Sequence, residues 1–279
     1  MRNPVGNNVR VRTVWTVGLA AVLAVALAAV GIDFGTSIYA EYRLSRSVRT
    51  AAHLESDPNV AILGFPFIAQ ARADRYGELE IKAVDVAHPR VGRAALEATM
   101  HDIDLLDRSW LIEPDATLHV GTLESRIIID SRHLGQFMGI RDLMVEAPPA
   151  DTNDATGGTT ESGISRSEGL VFTGTPTAAD FHRPVSVSVD LTMAGPDRST
   201  LVITPTGILT GPDTADQHVP EDRQTAVFAA FAARLPDQRL PFTVAPTSWG
   251  ARGSEVIIEG IVDDVTVTLP QFRPPGPRP

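Results

Sequence analysis

The chain has 279 residues, 43% of them hydrophobic, with 24 basic against 34 acidic side chains (formal charge −10) and no cysteine. Met1–Gly31 carries Arg2, Arg10 and Arg12 and no acid, which leaves 21 basic against 34 acidic side chains, −13, in the remainder. That balance excludes a nucleic-acid phosphate footprint and docking on an anionic membrane by bulk charge, while the missing cysteine excludes disulfides and an acylated-cysteine anchor.

In chain order, residues 1–13 form a short basic segment ahead of Val14–Ile32, a run without a charge. At about 19 residues it is close to the length needed to cross a bilayer. Arg10 and Arg12 on its N-terminal side place the N-terminus in the cytoplasm and the rest of the chain outside. Ala26-Leu27-Ala28 is a small-x-small site, so a cleaved signal peptide competes with an uncleaved anchor; the site falls inside the apolar run, which favours the anchor. Thr36 to Leu54 is predicted as a helix with Ile38, Tyr42 and Ala52 on one face. Arg43, Arg46 and Arg49 recur on another. This basic stripe reads first as a solvated face and second as a set of contacts to lipid phosphates.

Asn59 to Val86 organises the rest of the chain. An apolar run (Val60, Ala61, Ile62, Leu63) breaks at Gly64, and Phe65-Pro66-Phe67 sets two rings around a residue with fixed φ and no N–H. Because Pro66 stiffens the backbone between them, Phe65 and Phe67 are expected on different sides of the chain. A short helix is predicted over Ile68–Tyr76, ended by Gly77. Leu79, Ile81 and Ala83 then alternate with Glu78, Glu80 and Lys82, the period of a half-buried strand.

From Ala94 to Met144 the pattern is strand, strand, helix, with Ile127-Ile128-Ile129 as a buried-type run, Ser131 as a helix cap, and Leu134, Phe137 and Met138 on one face. Trp110 and Pro114-Asp115 mark a turn. Residues 148–168, rich in Gly, Ser, Thr and Asp, are expected to form a flexible insertion. Val185 to Met193 alternates cleanly and pairs back with Leu201–Thr206. Pro220-Glu221-Asp222 opens a helix with Val227, Phe228, Phe231 and Leu235 inward, stopped by Pro236. A last hairpin runs Phe242–Trp249, turns over Gly250–Gly253, and returns over Glu255–Leu269. The tail 271–279 is expected to be disordered.

Catalytic signatures are missing. The seven histidines are isolated, and no HExxH, GxSxG, P-loop or GxGxxG motif occurs. Asp102-Ile103-Asp104 and Asp263-Asp264 read as exposed carboxylates rather than a metal-binding DxD. No enzyme, metal site or cofactor is expected.

GFPFIAQ, a short spacer, Arg75-Tyr76 and the alternating strand, together with the closing GSEVIIEGIVDDVTVTL, resemble the LmeA-like phospholipid-binding family of actinobacterial cell-envelope proteins. The likeness extends from about Ala40 to Leu269. The pattern of strands with a helix in each half reads on its own as an exported, strand-rich α+β domain (33–270), and the resemblance implies that curved antiparallel sheet wraps around helices as in tubular lipid-binding folds. It also implies a phospholipid ligand of the phosphatidylinositol type and a supporting role in mannolipid assembly. Phe65, Phe67 and Tyr76 read first as core and second as lipid contacts, alongside Arg43, Arg46 and Arg49. The competing expectation is an interaction module that presents a surface to envelope enzymes and binds no lipid; a full-length apolar tunnel would favour the first reading and a solid core the second.

Overall fold

The computed structural model describes residues 6–106, 111–148 and 163–273. They form an α+β, strand-rich structure with two antiparallel sheets. One sheet has the order β1 (Asn59–Leu63), β2 (Arg75–His88), β3 (Gly92–Leu105), β4 (Thr117–Asp130), β11 (Glu255–Thr268), β10 (Ser248–Arg252). The other runs β5 (Met144–Glu146), β6 (Leu170–Gly174), β7 (Val185–Ala194), β8 (Thr200–Leu209), β9 (Ala233–Leu235). The helices are α1 (Gly6–Ala52), α2 (Phe67–Ala73), α3 (Ser131–Met138) and α4 (Glu221–Phe231). The predicted span and the helix predicted after it are one uninterrupted helix of 47 residues.

The alternation read in the sequence is the alternation seen. Leu79, Ile81 and Ala83 of β2 face the core, and Val185, Val187, Val189 and Leu191 of β7 do the same. On the inner face of the larger sheet, Ile81, Ala98, Ser125 and Gly260 lie side by side across β2, β3, β4 and β11. This row tapers to no side chain at all. A Cβ on Gly260 would stand 2.4 Å from the Ala245 carbonyl oxygen, so glycine is what lets the 240–245 segment cross the sheet there. The Ser125 hydroxyl donates to the Pro241 carbonyl at 2.9 Å and pins the same segment. On the outer face Lys82, Glu97, Arg126 and Glu259 make a charged row across the same four strands.

The larger sheet has two distinct ends. Tyr76, Ile103 and Val120 share a row at one end, and Asp130 pairs with Glu255 at the other. Along β4, Val120 and Asp130 stand roughly 33 Å apart at the rise of a β-strand. The C-terminal half of α1 lies against β1 and the 3-10 turn Leu269–Gln271. Leu44 and Val48 join one apolar cluster that runs through both sheets, with Phe172, Phe231, Leu96 and Met100 fully buried in it.

Several boundaries differ from the sequence reading. Asp130, not Ser131, caps α3; its carboxylate accepts from the Arg132 N–H at 2.8 Å. Phe137 stays partly exposed where an inward position was expected. Helix α4 ends at Phe231, and Leu235 belongs to β9, because pairing with Leu201 on β8 satisfies its backbone better than another helical turn. Residues 241–243 make a 3-10 turn with Phe242 at φ 58° instead of a strand, so the last hairpin starts at Ser248. Ile164 and Ser165, placed in a flexible insertion by composition, are buried: the Ser165 N–H donates to the Ala251 carbonyl at 2.9 Å beside β10. Phe272, expected in a disordered tail, is fully buried with its ring 5.7 Å from Phe242. Trp110, most of the insertion (149–162) and residues 274–279 lie outside the described residues.

Candidate functional site

From Trp15 to Ile32 the α1 side chains are exposed, and an 18-residue window there has mean hydropathy 2.3. By length and composition this is a helix able to cross a membrane, or a signal sequence. From Asp33 onward one stripe turns inward. Asp33, Ala40, Leu44, Val48 and Ala52 are buried at helical spacing. The opposite stripe, Phe34, Ile38 and Tyr42 at i, i+4, i+8, is exposed. Ile38 and Tyr42 therefore do not share the buried face of Ala52, as the sequence reading had it.

The GFPF corner packs against this transition point. Gly64 sits at φ 108°, a conformation that favours glycine, with the Gln70 amide 2.8 Å from where a Cβ would be. Pro66, joined to Phe65 by a cis peptide bond, leads into α2. The first N–H groups of α2 have no acceptor within their own helix. The Asp33 carboxylate supplies one from α1: Phe67 and Ile68 donate to its two oxygens at 2.8 and 2.9 Å. The cap thus comes from a residue 34 positions before the first N–H it serves. Helix α2 stops at Ala73 with Asp74 in the left-handed region (φ 53°), earlier than the predicted end at Tyr76, and Tyr76 and Gly77 already belong to β2.

Phe65 and Phe67 do point to opposite sides. Phe67 is 5% exposed and Tyr76 6%, with ring centroids 6.2 Å apart in the core. Burial raises the Tyr76 hydroxyl pKa, helped by the nearby Asp74 charge. Phe65 is 62% exposed and stacks on Phe34, itself 57% exposed, at 6.0 Å and 26°. Phe34 was missed by the sequence reading. The signal that could have found it is the i, i+4 continuation of exposed apolar positions out of the span.

Beside the corner is a cleft of about 370 Å³ lined by Gln70, Arg75, Tyr76, Gly77, Asp102 and Asp104. Arg75 pairs with Asp104 at 2.7 Å across its mouth, and the Gln70 side-chain oxygen accepts from the Gly77 N–H at 2.9 Å. The basic stripe is dispersed. Arg43 is exposed, Arg46 donates to the Tyr42 hydroxyl at 3.0 Å, and Arg49 pairs with Asp57 at 3.1 Å, where it ties the end of α1 to the loop before β1. The structure thus brings Phe67 and Tyr76 together in the core and sets Phe65 outside with Phe34. It leaves the three arginines on a separate part of α1.

Two larger clefts lie toward the other end of the sheet. One, about 1000 Å³, is polar and lined by Arg132, Gln136, Arg141, Asp142 and Thr175. The other, about 750 Å³, is more apolar, with Met144, Val145, Val171, Leu209 and Pro212. Both open to solvent, and one buried apolar cluster draws side chains from both sheets. Among the described residues no group of three or more His, Asp or Glu side chains is placed to hold a metal ion.

The family model described as LmeA-like phospholipid-binding matches residues 31–261. Neither a curated protein nor a solved structure matches the chain.

Proposed function

The chain belongs to the LmeA-like phospholipid-binding family, and on that premise we propose that it is a membrane-anchored, extracytoplasmic phospholipid-binding protein. The observation that carries this reading beyond the family is the exposed Phe34–Phe65 pair just past the apolar run of the uninterrupted helix α1. Acyl methylenes laid against these rings gain about 0.8 kcal/mol for each one removed from water. A ligand held this way needs no cationic pocket, which suits a region of formal charge −13. A phosphatidylinositol-type lipid and a supporting role in mannolipid assembly complete the proposal; they follow from the resemblance. The family description names binding, and binding is the chemistry proposed for this chain.

A specific observation favours a second reading. One buried apolar cluster draws on both sheets, and two large clefts open at the end of the larger sheet away from α2, which suits an interaction module that receives another envelope protein there.

Mass spectrometry of lipids retained by the detergent-purified full chain separates the two. Phospholipid retained by wild type and lost from Phe65→Asp, with unchanged circular dichroism, supports lipid binding at the corner. Phe67→Asp, which buries an unpaired carboxylate, is expected to unfold. No retained lipid in wild type favours the interaction module, and lipid retained equally by Phe65→Asp moves the site elsewhere.

A further inference from the structure

Trp15 stands at the start of the apolar run of α1, and Phe34 two residues past its end at Ile32. At the helical rise they are roughly 28 Å apart, close to the hydrocarbon thickness of a bilayer at about 30 Å. Phe34 therefore falls at the far boundary of the apolar layer. The fold brings two more exposed apolar groups to that level. Phe65 arrives from the corner between β1 and α2 and stacks on Phe34. Ile38, 64% exposed, stands one turn further on, about 6 Å higher. No charged residue occurs from Phe34 to Ala40.

Asp33 would be a bare carboxylate at this boundary. Instead it is buried under α2, both oxygens accepting backbone N–H groups. The side of the helix turned to the domain is thus polar and satisfied, and the side turned away is apolar and open. We infer that Phe34, Phe65 and Ile38 form a wedge seated in the interfacial layer of the leaflet that the span leaves, so that the domain rests on the bilayer in a fixed pose. The occupant of this face is bulk lipid, because the face is continuous with the span through one unbroken helix. The interfacial layer is only about 5–8 Å deep on each side. Ile38 lies within it. Arg43, Arg46 and Arg49, roughly 14 to 22 Å above Phe34 on an upright helix, stand clear of it.

This inference rests on the retained-anchor reading but not on the capture of a single lipid. The chain has no cysteine, so single-cysteine variants Phe65→Cys and Ile38→Cys can each carry an environment-sensitive fluorophore. Phe137→Cys is the control, 37% exposed on α3, which follows β4 at the opposite end of the sheet. The full chain is reconstituted in phosphatidylcholine/phosphatidylglycerol vesicles, with bromine placed at shallow or deep positions of the acyl chains. Shallow bromine is expected to quench the labels at 65 and 38 several-fold more than the label at 137, and aqueous iodide to do the opposite. Quenching equal to that at 137, or exclusion of both quenchers as a second protein copy would cause, overturns the wedge. If Phe65→Cys fails to fold by circular dichroism, Ile38→Cys decides alone. Retained phospholipid with unquenched labels sinks the wedge and leaves lipid binding standing; quenched labels with no retained phospholipid do the reverse.

Discussion

Asp33 joins two elements that the sequence presents separately, the apolar span and the GFPF corner. Replacing it with alanine leaves the buried Phe67 N–H and the half-buried Ile68 N–H without their acceptor. The expected loss is about 2 kcal/mol, in the range of a lost helix cap plus desolvated donors. Asp33→Asn, whose amide oxygen still accepts, should lose roughly half of that. Urea unfolding of the detergent-solubilised chain reads both, and an unchanged midpoint in Asp33→Ala would show that the cap contributes nothing. His88 is the second telling residue. It is buried, and its Nδ1 accepts from the Arg90 and Val91 N–H groups at 3.2 Å, while Nε2 faces the Gln238 amide at 3.3 Å. Desolvation lowers its pKa below the ordinary 6.5, with the Gln238 contact and Asp237 opposing. The unfolded chain then takes up a proton near pH 6.5 that the folded chain refuses until lower pH. Stability from this residue should be complete above that pH and decline as pH falls from there to the folded-state value. His88→Gln should flatten that part of the unfolding free energy against pH; an identical slope would remove His88 as its cause.

Among the elements, the outer-face row of the larger sheet carries the sharpest expectation. Arg126 places Nε 2.6 Å from Glu259, Nη2 2.7 Å from Glu124 and Nη1 3.8 Å from Glu97. Glu259 is buried, so Arg126→Met leaves its carboxylate without the main counter-charge. We expect a loss of about 3–5 kcal/mol, with much of it recovered in the Arg126→Met/Glu259→Met double variant; thermal unfolding of the four chains tests this, and additive losses would argue against a coupled pair. The strands that make this sheet were legible because period-2 alternation survives wherever one face is wet, as in Leu79–Ala83. Helix α4 was over-extended because Leu235 keeps the helical spacing by chance, and only its partner on β8 tells the difference. Phe272 was lost for a related reason: its burial depends on Phe242, in a turn on the far side of the last hairpin. The split between Phe65 and Phe67 could be read from the proline between them. The partnership of Phe65 with Phe34 could not, since no local spacing encodes it.

For the whole molecule, the strand-rich α+β class and the apolar helix ahead of it were visible from composition and periodicity, while the merger of span and domain helix was not. Gly31 to Gly35 looks like a joint, yet α1 runs through it because the inward stripe begins at Asp33 and the fold holds the helix from there. A reporter fused after Pro279 should be active only outside the cytoplasm, as Arg10 and Arg12 dictate. The chain should also stay with membranes after a salt wash and keep its own N-terminus. Cytoplasmic reporter activity would overturn the orientation, and a mature start near Ala29 would make the segment a signal peptide.

The unbroken passage of α1 into the fold also sets the protein's range of action. A carrier on a leash can sweep a hemisphere above its anchor, with a radius that grows with the slack in the leash. Here the slack is nil, for the last residues of the span are followed at once by one that the fold grips. With the span retained, as proposed, the domain works as a pier rather than a ferry. In that proposed pose its two large clefts would be held at one altitude, on the order of 30–40 Å above the leaflet by the length of the strands between. On that proposal, a partner that exchanges lipid with it or docks on it would have to bring its own opening to that height.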